Sequence, residues 1–216
     1  MVSVSSSTGQ YVEDKCLYIE FEDKHITNQG VNVKTFCYYS PVPDYASSSG
    51  HSCVKSKTYF YPYGYATSAY CWGNNKHGQI DNNYTNATSP VEITAIPTPV
   101  NKVSAGGYHT CAIGNGSSNS LYCWGNNSYG QLGDSNAPYG RTVLNRYYHF
   151  SNALDISAGN KNHTCAVYNN SGTKQIYCWG ANDNGQLGRN KVNPREDTIG
   201  SPILSGAVAY YLSAGE

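Results

Sequence analysis

Three segments of this 216-residue chain repeat one another, and that repetition limits the possible folds more than any other feature. Cys71-Trp72-Gly73-Asn74-Asn75-Lys76-His77-Gly78-Gln79-Ile80 recurs as Cys123-Trp124-Gly125-Asn126-Asn127-Ser128-Tyr129-Gly130-Gln131-Leu132-Gly133, then as Cys178-Trp179-Gly180-Ala181-Asn182-Asp183-Asn184-Gly185-Gln186-Leu187-Gly188. A second motif keeps the same beat: His51-Ser52-Cys53, His109-Thr110-Cys111-Ala112-Ile113 and His163-Thr164-Cys165-Ala166-Val167. Upstream lie Val103-Ser104-Ala105-Gly106 and Ile156-Ser157-Ala158-Gly159, and Leu212-Ser213-Ala214-Gly215 repeats them near the last residue. The period is 52–58 residues, the length of one supersecondary unit stacked on its neighbours.

Each unit reads as a hairpin. A turn between Gly114 and Ser120 sets Ala112 opposite Tyr122 and Ile113 opposite Leu121, so Cys111 faces Cys123. Directly opposed residues on antiparallel strands lie within disulfide reach. Cys165 and Cys178 repeat the construction about Asn170-Ser171-Gly172-Thr173, and Cys53 and Cys71 do so with a longer, Tyr-rich loop. Cys16 and Cys37 are left over and are expected to pair by arithmetic alone. Trp72, Trp124 and Trp179 recur in phase with the cysteines and are expected as buried wedges between units.

Composition narrows the function. Fourteen Lys and Arg offset fourteen Asp and Glu, and only 13% of residues are charged, which argues against binding to nucleic acid or an anionic membrane surface. No window approaches the roughly 18 apolar residues of a spanning helix. The first residues, Met1-Val2-Ser3-Val4-Ser5, lack a charged leader and an apolar run, yet eight Cys suit an oxidising compartment. The chain therefore reads as a mature or partial form of an exported protein, extracellular or at a cell surface. Sequons at Asn83, Asn86, Asn115, Asn126, Asn162 and Asn169 agree with that, although a chain rich in Asn, Ser and Thr shows several by composition.

These repeats resemble those of the regulator of chromosome condensation family, whose units are four-stranded blades of a seven-bladed β-propeller. The paired cysteines resemble its exported members. The likeness covers residues 47–190 and, briefly, 212–215. It implies an all-β fold of propeller-type blades. Seven such units need about 350 residues, so an open or partial propeller is expected: three clear repeats in residues 47–216 and a divergent segment, 1–46, as an N-terminal strand region or partial blade. Three explanations stand for the missing units: a fragment of a longer chain, a smaller closed ring, or edges that pair with other subunits. A strand from the first 46 residues could complete the last unit, as a clasp within the chain or between chains.

No catalytic machinery is legible. His51, His109 and His163 each precede a cysteine by two residues, but the spacing is unlike a zinc knuckle, and rings bonded to backbone between strands are the expectation. Self-pairing cysteines leave no thiolate nucleophile, and Asp81, Asp134, Asp155, Asp183, Glu196 and Asp197 are scattered, mostly near turns. No cofactor or metal is implied. The family's nuclear role, nucleotide exchange and chromatin binding, does not carry over, because neither charge nor redox setting fits. The expected function is a non-enzymatic extracellular scaffold or self-assembling, filament-forming glycoprotein subunit. The alternative is a secreted module that recognises carbohydrate or another protein. Tyr59, Tyr61, Tyr63, Tyr65, Tyr147 and Tyr148 are candidate contact residues, since Tyr gives large area at low rotamer cost.

Overall fold

The computed structural model describes residues 15–20, 33–38, 45–47, 50–60, 64–114, 119–134, 141–146, 152–190, 195–196, 199–206 and 211–215. Among them every regular element is a strand. β1 (Lys15–Glu20) and β2 (Val33–Tyr38) form a separate antiparallel pair. Three meandering sheets follow. The first is β3 (Tyr45–Ser47), β4 (His51–Phe60), β5 (Gly64–Gly73) and β6 (Ala87–Glu92). The second is β7 (Val100–Ala105), β8 (His109–Gly114), β9 (Ser120–Gly125) and β10 (Arg141–Arg146). The third is β11 (Ala153–Ala158), β12 (His163–Asn170), β13 (Thr173–Ala181) and β14 (Arg195–Glu196), with β15 (Leu204–Ser205) on the same edge of β13. These sheets are blades, and they stop short of a closed ring.

The hairpin registers agree with the spacing argument. Cys111 stands opposite Cys123, Ala112 opposite Tyr122 and Ile113 opposite Leu121. Cys165 faces Cys178, and Cys53 faces Cys71. All three pairs are disulfides with Cα atoms 4.1 Å apart. On β1 and β2 the backbone places Cys16 opposite Cys37.

Two expectations change. The Tyr-rich stretch between Cys53 and Cys71 is not a long loop: β4 and β5 stay paired as far as Phe60 and Gly64, with Tyr59 opposite Tyr65. Thr58, Tyr59, Phe60, Tyr65 and Thr67 are aromatic or β-branched residues, which favour the extended ladder. Tyr61 and Tyr63 lie outside the described residues, as do Tyr147 and Tyr148. Among the described residues β1 pairs with β2 and with no strand of the last blade, so Lys15–Glu20 makes no clasp within the chain, while Val2–Ser5 lie outside the described residues. The boundary drawn after residue 46 falls inside β3, which pairs with β4 as the first strand of the first blade.

The core lies between blades. Cys53, Ala69, Cys71 and Ile80 of the first blade pack with Val103, Ala105, Ala112, Tyr122 and Trp124 of the second. Cys111, Ile113, Leu121, Cys123 and Leu132 pack likewise with Ile156, Ala166, Tyr168 and Trp179 of the third. Each blade thus buries the disulfide of the blade before it. Beyond the third blade, Cys165, Val167, Ile176, Cys178 and Leu187 are covered by half-buried Ile203 and Leu212. No helix among the described residues is long and apolar enough to cross a membrane.

Candidate functional site

The repeated residues converge on the seams between blades, and the turn after each Trp-Gly builds half of every seam. Gly73, Gly125 and Gly180 have φ of +106°, +101° and +102°, and a Cβ on any of them would meet a backbone oxygen at 2.4–2.7 Å. That conformation is nearly closed to other residues. Two positions on, the carboxamide oxygens of buried Asn75, Asn127 and Asn182 accept hydrogen bonds from the backbone N–H groups of Ile80, Leu132 and Leu187 at 2.8–3.0 Å. The side-chain oxygens of Gln79, Gln131 and Gln186 accept from the N–H groups of His77, Tyr129 and Asn184 at 2.9 Å. Two recurrent amides thus satisfy a loop that returns an Ile or Leu to the core.

The histidines complete the seam. His51 Nε2 lies 2.8 Å from Thr110 Oγ1, and His109 Nε2 lies 2.9 Å from Thr164 Oγ1, each bond crossing to the next blade. Thr110 donates its single hydroxyl proton to the Gln79 carbonyl at 2.7 Å, and Thr164 donates to the Gln131 carbonyl at 2.8 Å. Each histidine must then be the donor through Nε2–H, which fixes its neutral tautomer. The His51 and His109 rings therefore bond to a hydroxyl of the neighbouring unit, where the sequence suggested backbone, whereas His163 bonds to the backbone of Lys161. The Gln131 carbonyl also accepts from Trp179 Nε1 at 3.0 Å, so wedge and relay meet on one oxygen.

Burial pushes the His51 imidazole down to about 4 and that of His109 to about 3, the latter with further repulsion from His51 and His163. His163 is lowered as well, again chiefly by burial. Nδ1 of His109 is buried without a partner, so a proton added there would find no acceptor. Space for the rings comes from the Ser-Ala-Gly motif: a Cβ on Gly106 or Gly159 would stand 2.3 or 2.2 Å from the Cε1 of His109 or His163. The serine of that motif is an acceptor across the seam. Ser104 Oγ takes the N–H of Ala158 at 2.9 Å, and Ser157 Oγ takes that of Ala214 at 2.8 Å. The terminal Leu212–Gly215 segment is thereby seated on the third blade as the third is seated on the second.

Trp124 and Trp179 are buried wedges, whereas Trp72 is half-buried. Carboxylates named from the sequence hold structural contacts. Asp155, on β11 and not in a turn, is buried and accepts from Lys102 Nζ and from the Leu212 N–H. Asp81 holds Asn75 and Asn83 within one loop, Glu196 pairs with Arg189 at 2.8 Å, and Asp183 accepts from Gln186 Nε2, a bond that lowers its pKa. Asp197 and Asn115 lie outside the described residues. No group of three His, Cys, Asp or Glu among the described residues could hold a metal. Sequence reading singled out the histidines, tryptophans and cysteines but missed the roles of Thr110, Thr164, Ser104, Ser157 and the three turn asparagines. The signal was their recurrence in phase.

Two sequence profiles, both of the Regulator of chromosome condensation (RCC1) repeat, match the chain, one at residues 68–113 and 175–203, the other at 100–131 and 154–186. Together they span more than half of it. The chain is similar to the probable E3 ubiquitin-protein ligase HERC4 of Homo sapiens, with 32% identity over 140 residues that cover 61% of this chain and 13% of HERC4. It is also similar to the ultraviolet-B receptor UVR8 of Arabidopsis thaliana, 30% identical over 57% of this chain and 28% of UVR8. Among solved structures, human WBSCR16 superposes with a TM-score of 0.56 at 20% identity, covering 85% of this chain and 46% of its own. Prp20p of Saccharomyces cerevisiae gives 0.58 at 13%, covering 90% and 52%. The chain thus spans about half the length of these solved chains and 13% of HERC4. Profiles, relatives and blade architecture agree: the chain belongs to the regulator of chromosome condensation (RCC1) repeat family.

Proposed function

We propose that these blades form a protein-interaction module, without turnover of its own, that matures and works in an oxidising extracellular setting. One observation carries the reading. The same cross-strand disulfide occupies the middle hairpin of all three blades, with each of the first two pairs sealed under the next blade. Thiols so placed oxidise before or during blade stacking, which a reducing cytosol opposes. The balanced and low charge favours recognition by shape and hydrogen bonding. Prp20p, of like fold, is described as binding Gsp1p and histones, which are proteins, and protein partners are the class proposed here.

Peptide mapping of native material without reductant tests the setting. Linked peptides joining Cys53 to Cys71, Cys111 to Cys123 and Cys165 to Cys178 are expected, and free thiols at these positions would overturn it. Cross-linking from exposed Lys76 and Lys161 tests the partner class. One recurrent protein adduct supports the module, whereas links confined to the chain itself refute it.

A further inference from the structure

The chain offers six sequons, and the folded geometry separates the five whose residues are described. Nitrogen-linked glycosylation joins the Asn Nδ2 to a sugar, so a folded acceptor must present that nitrogen to solvent with room for a bulky polar group. Asn162-His163-Thr164 fails. Its Thr164 hydroxyl is fully buried in the seam relay, and Asn162 Oδ1 accepts from Gln131 Nε2 of the preceding blade at 3.1 Å. In Asn126-Asn127-Ser128 the acceptor nitrogen lies 3.2 Å from His77 Nδ1, its oxygen takes Ser128 N–H and Gln131 Nε2, and Asn127 is buried. Asn83 is tied on both sides: Nδ2 donates to Asp81, and Oδ1 accepts from Asn75 Nδ2 and Thr85 N–H.

Asn169-Asn170-Ser171 differs. It sits where β12 turns into β13; Asn169 is half-buried, and Asn170, Ser171, Gly172 and Thr173 beside it are exposed. Asn169 Oδ1 accepts from Gly172 N–H at 2.9 Å, which pins the carboxamide by its oxygen and leaves Nδ2 unengaged. Space around the tip is open, for a Cβ on Gly172 would meet nothing within 4 Å. Asn86 is exposed and also leaves its nitrogen unengaged, but its oxygen caps Asn75 N–H at the start of the buried turn, beside the tied Asn83, whereas the Asn169 oxygen bonds only within its own hairpin tip. The open hairpin tip is the better-built acceptor.

We infer that Asn169 carries a nitrogen-linked glycan and that Asn162 does not. The donor class is a polyisoprenyl-diphosphate-linked oligosaccharide. Asn169 Nδ2 bonds to the anomeric carbon, the carbon–oxygen bond to diphosphate breaks, the lipid diphosphate leaves with the electron pair, and the amide loses one proton to the transferase. The inference rests on the extracellular reading above.

The test is the full chain secreted from a eukaryotic cell, split into two measurements. Non-reducing peptide mapping reports the disulfides and so judges the compartment alone. Enzymatic deglycosylation in heavy-oxygen water then marks every former acceptor as a labelled aspartate. Label at Asn169 and none at Asn162 is expected, and Asn169→Gln should remove the mass of one glycan. Intact disulfides with an unlabelled Asn169, or label at Asn162, would overturn the inference while leaving the compartment reading in place.

Discussion

Replacing Thr164 with Val tests whether the seam relay stabilises blade stacking. Thr164 is fully buried, and valine keeps its shape while removing the hydroxyl. Two bonds go at once, the acceptance from His109 Nε2 at 2.9 Å and the donation to the Gln131 carbonyl at 2.8 Å. The carbonyl keeps Trp179 Nε1 and is not stranded. The histidine is stranded, because its Nδ1 already lacks a partner and its Nε2–H would then lack one too. A buried unsatisfied donor costs about 1–3 kcal/mol, and a lost net hydrogen bond about 1 kcal/mol. The expected loss is therefore about 2–4 kcal/mol. Thr164→Ser, which keeps the hydroxyl, should cost only about 1 kcal/mol for the missing methyl. Urea unfolding with disulfides intact, followed by tryptophan fluorescence, reads the difference. Adding His109→Leu should recover about 1–2 kcal/mol relative to the sum of the single changes, since it removes the stranded donor. A Val variant within about 0.5 kcal/mol of the parent, or strict additivity in the cycle, would refute the relay.

The same histidines set a pH dependence. His51 and His109 are held below their ordinary value of 6.5, at about 4 and about 3, so the unfolded chain binds more protons in acid. Their contribution is fully present above about pH 6.5 and falls as the pH drops toward 4, at up to about 1.4 kcal/mol per pH unit for each ring. Urea midpoints at pH 7, 6 and 5 should decline, and His109→Leu should flatten the decline; a flat parent profile would contradict the burial argument. Graded reductant should open Cys165–Cys178 first, because Cys165 is 8% exposed while Cys53, Cys71, Cys111 and Cys123 are fully buried beneath the next blade. Each cross-link closes a loop worth about 3 kcal/mol on the chain-entropy model. Timed alkylation with mass mapping checks the order, and simultaneous loss of all three would count against blade-by-blade shielding.

The sequence revealed the hairpins because their evidence is local. Cys111 and Cys123 are brought opposite by a short turn, and period-two counting from that turn needs no knowledge of other blades. It also revealed that Trp124 and Trp179 are buried, because a large aromatic in phase with a cysteine has few other uses. What it hid lies across the seams. Thr164 finds His109 and Gln131 from 55 and 33 residues away, and no spacing within one unit announces such a meeting. The Ser-Ala-Gly motif looked like one strand, yet its three residues do different jobs: Ser104 accepts from the next blade, Ala105 fills the core, and Gly106 vacates room for the His109 ring. A repeated motif records the interface that repeats as well as the unit. The residues that recur without an intra-unit reason, here Thr110 and Thr164, are therefore the first to examine for contacts between units. Trp72 obeys the motif in sequence and departs from it in burial, being half-buried where Trp124 and Trp179 are buried; among the described residues the strands before its blade are the two-stranded β1–β2 pair, not a four-stranded sheet. Position in the array, which no single unit encodes, decides what an identical residue does.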